Sequence, residues 1–543
     1  MFPTGVTSTT EVLCATAIYL LPHSAPEIKP ARASEQHIAV APAGRAAPRR
    51  GAKPSDARCF RYLRPEARTF EIKMASSSSP FPRLLLLTLV AMPLVAAAVG
   101  DRNSTVPGQI RINCGASVSA NDSDGRTWDG DAASKFAPSV AGVAADASYK
   151  DPSLPSAVPY MTARVFASSY TYSFPVSRPG RVFLRLTFYP SAYGDRRAAD
   201  ALFGVTAGGV TLLRDFNASQ AALALSLAYL VREFSVNVSS GASLDVKFSP
   251  ASGSARYYAF VNGIEVVPTP DALFAAAAPS FVNGGRPYPM PVRADTAFQT
   301  MYRLNVGGVA VSPGDDSGLL YRTWGDDSPH IFGAAFGVSF PKDGNVTIQH
   351  GPTAPPYVAP ASVYASARSM GPVGQINLNY NLTWILPVDA GFFYLLRLHF
   401  CEIQYPMTKP NQRAFDIYIN NQTAQEGMDV IGRSGGIGRP AYADYLVVTA
   451  RGSGQSQTDL WVALHPDVAV LPEYYDAILN GLEVFKLQKY DGDGLAVPSP
   501  PISGTGNNVL DGSRAASNKK GRAFAAFAGL TAGGLLAALV GCL

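Results

Sequence analysis

Cysteine is nearly absent from the body of this chain. Of the five in 543 residues, only Cys114 and Cys401 lie between the two apolar segments near the ends. They occupy non-equivalent places in a duplicated sequence, which excludes a disulfide framework repeated in each copy. A bridge from Cys114 to Cys401 and two buried free thiols both stay open. Either way stability has to come from core burial. Surplus positive charge is missing too. The first 73 residues hold 11 Lys and Arg against 6 Asp and Glu and so carry the whole formal charge of +5, while residues 74–543 balance at 34 against 34. That balance excludes a nucleic-acid-binding protein. A reactive cluster is the third absence. His399, Cys401 and Glu402 come nearest, but in a strand Glu402 faces away from the other two, and no second His/Cys group lies nearby. A core thiol beside a packed histidine is the expectation, with no cofactor and no metal. The Gly-rich stretch 432–438 opens no amphipathic helix after a strand and reads as a loop, not a phosphate cradle. Nothing places two carboxylates across a cleft as a glycosidase requires.

What is present is a duplication. Arg126-Thr127-Trp128, followed by Asp129 and Asp131, returns as Arg322-Thr323-Trp324, followed by Asp326 and Asp327. Arg185-Leu186-Thr187-Phe188 returns as Arg397-Leu398-His399-Phe400, and the segment around Asn262-Gly263 returns around Asn480-Gly481. The offsets of 196, 212 and 218 keep the order while the loops of the second copy lengthen. Two copies of this length are paired domains, not a solenoid. Alternating segments at 182–188 and 396–400 each follow a turn and read as strands, as do 170–174, 234–238, 244–248, 415–419 and 459–464. The Asn-Gly pairs are expected to bend or bulge a terminal strand; helices are expected only at 218–231 and 271–278. Short strands with Pro- and Gly-punctuated turns define an all-β chain of two tandem antiparallel β-sandwiches.

Residues 1–73 read as a disordered or spurious extension. Met74, Arg83 and the apolar run Leu84–Ala98 read as a secretory signal peptide over 74–99. Seven Asn-x-Ser/Thr sequons agree with export: Asn103, Asn121, Asn217, Asn237, Asn345, Asn381 and Asn421. Residues 488–522 are expected to form a stalk. The uncharged run Ala523–Leu543 reads either as a membrane span or as a lipid-anchor signal. The first sandwich is expected over 108–268, a packed linker over 269–301 and the second sandwich over 302–487. Two readings apply to the repeated Trp-Asp loops. Trp128, Asp129, Asp131, Trp324, Asp326 and Asp327 form a ligand-binding edge, or the acids pair with arginine in a structural loop while Trp caps the core.

Ile112–Gly115, Asp124-Gly125-Arg126-Thr127-Trp128, Tyr321–Trp324, Arg397–Glu402 and Leu479–Val484 occur together and in order. With this combination the chain resembles, over roughly 108–487, the extracellular region of plant FERONIA-type receptor-like kinases, the Catharanthus roseus receptor-like kinase 1-like family. The resemblance implies malectin-like sandwiches on the outer face of the plasma membrane. It also implies recognition of a secreted rapid-alkalinization-factor peptide with a small lipid-anchored co-receptor, and a link to cell-wall pectin. The family's Ser/Thr kinase has no counterpart here: there is no Val-Ala-Ile-Lys, no His-Arg-Asp and no Asp-Phe-Gly. The chain is therefore expected to bind and not to catalyse. The alternative is a wall-carbohydrate sensor, or a lipid-anchored decoy without a signalling domain. The founding malectin domain binds a diglucose, but Tyr160, Tyr170, Tyr172, Tyr189 and Tyr193 are expected mostly in the core or on strand surfaces.

Overall fold

The computed structural model describes residues 108–496 except 133, 137–141, 177, 240–242, 317, 319, 334–336, 451–455 and 491–493. The leader, the signal segment, Asn103 and the apolar run 523–543 lie outside the described residues.

Alternation along Gly180–Phe188 sends Val182, Leu184, Leu186 and Phe188 into one core. That core closes against an antiparallel sheet of Tyr170–Pro175, Ser243–Pro250, Leu202–Ala207 and Val210–Asn217. The second copy repeats the plan. Phe393–Phe400 contributes Tyr394, Leu396, Leu398 and Phe400 to a separate core, closed by Leu382–Asp389, Gln457–Pro466, Ala414–Ile419 and Gln422–Asp429 in the same order. Each copy is thus an antiparallel β-sandwich.

The sandwiches share a sheet. Phe298–Asn305 of the second pairs antiparallel with Leu230–Val238 of the first, Phe234 opposite Gln299 and Ser235 opposite Phe298. One sheet therefore runs through the strands 441–448, 393–400, 481–487, 298–305, 230–238, 180–188, 263–268 and 110–113. The expected boundary at 301/302 falls inside the joining strand. The linker covers the outer face of this sheet: Leu273 packs with Phe183, Val267 and Leu320, and Phe274 stacks on Phe298 at 4.8 Å between ring centroids.

The Asn-Gly pairs break a strand as expected, and they also switch it between sheets. Ala259–Val261 pairs with Thr162–Phe166, while Gly263–Pro268 moves into the shared sheet. Asn262 supplies the missing ladder bonds: its Oδ1 accepts from the Tyr189 amide at 2.7 Å and its Nδ2 donates to Tyr160 O and Thr162 O. Asn480 does the same between Ile478–Leu479 and Gly481–Leu487, accepting from the Cys401 amide at 2.7 Å. The helix expected over 218–231 ends at Ala224, because the strand from Leu230 wins the rest.

Two expectations are corrected. Cys114 belongs to the first core and Cys401 to the second, and both are buried free thiols, so no bridge joins the copies. The stalk does not begin at 488. The Gln488 amide donates to Ala297 O, the Leu495 amide donates to Thr211 O, and Leu495 is fully buried in the first core. The chain returns from the second sandwich to the first because that core accepts an apolar side chain from it.

Candidate functional site: the junction and the repeated loops

The outer face of the shared sheet carries an alternating row of charges across both sandwiches. Asp444 accepts two hydrogen bonds from Arg397, each 2.8 Å. Arg397 stands opposite Glu483, which accepts from Arg303 Nε at 2.7 Å. Arg303 Nη2 reaches across the junction to Glu233 at 2.8 Å, and Glu233 accepts from Arg185 Nε at 2.7 Å. Arg185 then meets Glu265 at 3.2 Å, and Glu265 faces Arg111. Every member except Asp444 is buried. None of these residues was singled out as a site from sequence. The available signal was that Arg185 and Glu265 recur as Arg397 and Glu483 at matching positions of the repeated strands.

Burial alone would raise the Glu233 carboxyl, but Arg303 and Arg185 hold it down at about 2. Glu483 is likewise raised by burial and held well below the usual carboxylate range by Arg303 and His399. His399 meets Tyr364 Oη at 2.9 Å and Glu483 at 3.1 Å. Burial lowers its pKa, against the pull of Glu483. These shifts share a sign. An unfolded chain takes up a proton on histidine below about pH 6.5 and on glutamate below about 4.5, before the folded groups do, so stability falls with pH. Glu402 and Asp476, raised by burial despite Arg413, oppose the trend as the pH falls toward the ordinary carboxylate range. The expected result in urea titrations is a decline beginning near pH 6.5 that His399→Gln reduces, the remainder belonging to His330, whose pKa burial also lowers, with the acid limb below about pH 4.5 retained. A decline unchanged by His399→Gln would contradict this assignment.

The repeated loops are clasps. Asp131 accepts from the Gly115 amide at 2.8 Å, Tyr172 Oη at 2.8 Å and Arg164 Nε at 3.0 Å. Asp327 accepts from the Gly307 amide at 2.9 Å, Trp384 Nε1 at 2.9 Å and Arg368 Nε at 2.7 Å. Gly115 and Gly307 have φ of +84° and +69°, and a Cβ on either would lie 2.2 or 2.0 Å from the carbonyl oxygen of Ala163 or Ala367, so only glycine fits. Trp128 and Trp324 are buried, with Arg126 and Arg322 over their rings at 5.7 and 5.5 Å. Of the six loop residues proposed as a binding edge, Trp128, Asp131, Trp324 and Asp327 are internal: all four are buried, and both carboxylates and Trp128 Nε1 are bonded within the fold, while Trp324 Nε1 has no partner among the described residues. Asp129 and Asp326 alone remain exposed.

Among the sequons, Asn121, Asn237, Asn345, Asn381 and Asn421 are exposed. Asn217 is corrected: it is 2% exposed, caps the helix Ala218–Ala224 through the Gln220 amide, and donates to Ala199 O. A glycan on Nδ2 has no room in this packing. Glycopeptide mass spectrometry of secreted protein is expected to find Asn217 unmodified and the exposed sites modified; an occupied Asn217 in folded protein would contradict it.

Among the described residues, a groove of about 550 Å³ lies between the linker and the end of the second sandwich, lined by Met290, Val292, Arg293, Leu446, Leu487 and Lys489. The five tyrosines of the first copy weighed for sugar contact, Tyr160, Tyr170, Tyr172, Tyr189 and Tyr193, are all buried, as expected of core positions.

Two fused, internally clasped sandwiches define the tandem malectin-like class. Residues 112–487 match the malectin-like domain family, and the chain belongs to it. It is 46% identical over 464 residues to the receptor-like protein kinase FERONIA of Arabidopsis thaliana, covering 84% of this chain and 50% of that protein. The ANX1 ectodomain of Arabidopsis thaliana superposes with a TM-score of 0.68 at 41% identity, over 72% of this chain and 99% of that one. A structure described as plant peptide RALF23 in complex with FER and LLG2 matches with a TM-score of 0.66 at 46% identity, over 73% of this chain and 100% of the matched chain. The chain spans about half the length of the curated relatives it matches. What is matched is the ectodomain, and no kinase domain is contained in these 543 residues.

Proposed function

We propose that the chain is the outward-facing ligand-binding region of a plasma-membrane receptor-kinase system, recognising a secreted peptide of the rapid-alkalinization-factor type together with a small lipid-anchored co-receptor. The observation that carries this is the 46% identity to a chain solved with such a peptide and LLG2, over that chain's whole length. A rigid tandem body suits the role, because a ligand gripping one sandwich is felt by the other through a shared sheet. Exposed Asp129 and Asp326 offer carboxylates to a basic peptide. Attachment to the membrane through 523–543 belongs to the same proposal.

The test is biolayer interferometry with RALF23 and LLG2. The expected result is binding that requires both and weakens when Asp129 and Asp326 are changed to Lys. No association with the two together would overturn the reading.

A further inference from the structure

The outer sheet of the second sandwich turns an aromatic floor to solvent. Along its strands every second residue faces away from the core. Ile385 stands opposite Trp461, and Thr383 opposite Ala463, which on its other side meets Tyr418. Trp461 and Tyr418 are partly exposed, and the loop residue Phe332 packs on Trp461 at 5.0 Å between ring centroids. Phe332 is held there by its amide, which donates to Thr383 O at 2.9 Å. Even so its ring is 50% exposed, and Trp461 Nε1 has no hydrogen-bond partner among the described residues. An exposed aromatic pair with an unpartnered indole N–H suits a cover that is apolar on its face and polar at its edge.

The chain itself can supply the cover. Asn381, the acceptor of the sequon Asn381-Leu382-Thr383, immediately precedes the strand Leu382–Asp389. Leu382 enters the core, so alternation puts Asn381 on the outer face with Thr383 and Ile385. It is exposed, and its side chain has no partner among the described residues. Four residues of strand, about 13 Å, separate it from Ile385 beside Trp461. An asparagine side chain and two pyranose rings cover that distance. Asn421 is placed otherwise: it lies in the turn between Ala414–Ile419 and Gln422–Asp429, with φ of +60°, at the end of the sheet and not on its face.

We propose that the N-glycan on Asn381 folds back along its own strand and stacks its GlcNAc rings on Trp461 and Phe332. A pyranose ring meets the aromatic face with its axial C–H groups, and its edge hydroxyls accept from Trp461 Nε1. The glycan then acts as part of the fold: it covers the floor and closes this face of the second sandwich to protein partners. The proposal rests on modification of the exposed sequons and not on the peptide reading.

The test uses the secreted protein carrying uniform oligomannose glycans. Glycopeptide mass spectrometry first shows whether Asn381 is occupied. The chain has four tryptophans, and Trp128, Trp324 and Trp384 are buried, so acrylamide quenching reports Trp461. Quenching is expected to rise in Asn381→Gln and to stay unchanged in Asn421→Gln, with the thermal midpoint of Asn381→Gln lower by about 2 °C. A second readout leaves the sequon intact. Endoglycosidase H acting on the native protein should release the Asn381 glycan several-fold more slowly than the Asn421 glycan, and Phe332→Ser should remove the difference. An unmodified Asn381 overturns the proposal together with the sequon reading at that site. Equal quenching of the Asn381-glycosylated protein and Asn381→Gln overturns the packing alone, and so does a rise in quenching that follows Asn421→Gln instead.

Discussion

Arg303→Met is expected to lower the stability of the folded chain by about 3–5 kcal/mol, the cost of removing one partner from a buried charge network. Arg303 is 7% exposed and joins Glu483 of its own sandwich to Glu233 of the other. Without it two buried carboxylates lose their shared cation and face each other, although Glu233 keeps Arg185 and Thr300. Urea denaturation measures the loss, and the double variant Glu233→Gln/Arg303→Met should lose less than the sum of the single changes. Arg197→Met is the control: its ion pair with Asp200 is at the surface, and the unfolding midpoint should not move. An Arg303→Met midpoint equally unmoved would mean the row of charges does not couple the sandwiches.

Asp327→Ala is expected to cost a similar amount, about 3–5 kcal/mol, because it strands a buried guanidinium. The carboxylate accepts from the Gly307 amide, from Trp384 Nε1 and from two nitrogens of Arg368, and its side chain is fully buried. The neighbouring acid gives the contrast. Asp326 is exposed and its side chain bonds Ser328 alone among the described residues, so Asp326→Ala should leave the urea midpoint nearly unchanged. A protein that tolerates Asp327→Ala as easily as Asp326→Ala would reopen the reading of the whole loop as a binding edge.

These two sites also mark how far the sequence could be read. The duplication was visible because strand and switch residues recur together: Arg185 with Arg397, Asn262 with Asn480. Alternation identified the strands because apolar residues at every second position need one buried face. The same pattern concealed the row of charges. Arg185 and Glu265 look like the solvent side of a half-buried strand, but the linker and the Leu320–Tyr321 loop of the second sandwich fold over that face, with Arg185 donating to Leu320 O. The Trp-Asp loops allowed both a binding and a structural reading, since sequence cannot place Arg164 beside Asp131 or Arg368 beside Asp327. The fusion of the sandwiches lay beyond reach for a related reason: Phe234 opposite Gln299 is an edge-to-edge pairing with no local signature. Leu495 was hidden inside a stretch whose Pro, Gly and Ser content reads as linker.

The central claim is that two copies of one sandwich behave as a single body, so that a ligand gripping either is felt by both. Differential scanning calorimetry of the secreted chain tests it most directly. One unfolding transition is predicted, with calorimetric and van't Hoff enthalpies in agreement, and Arg303→Met should divide it. Two separate transitions in the unaltered protein, one for each sandwich, would contradict it.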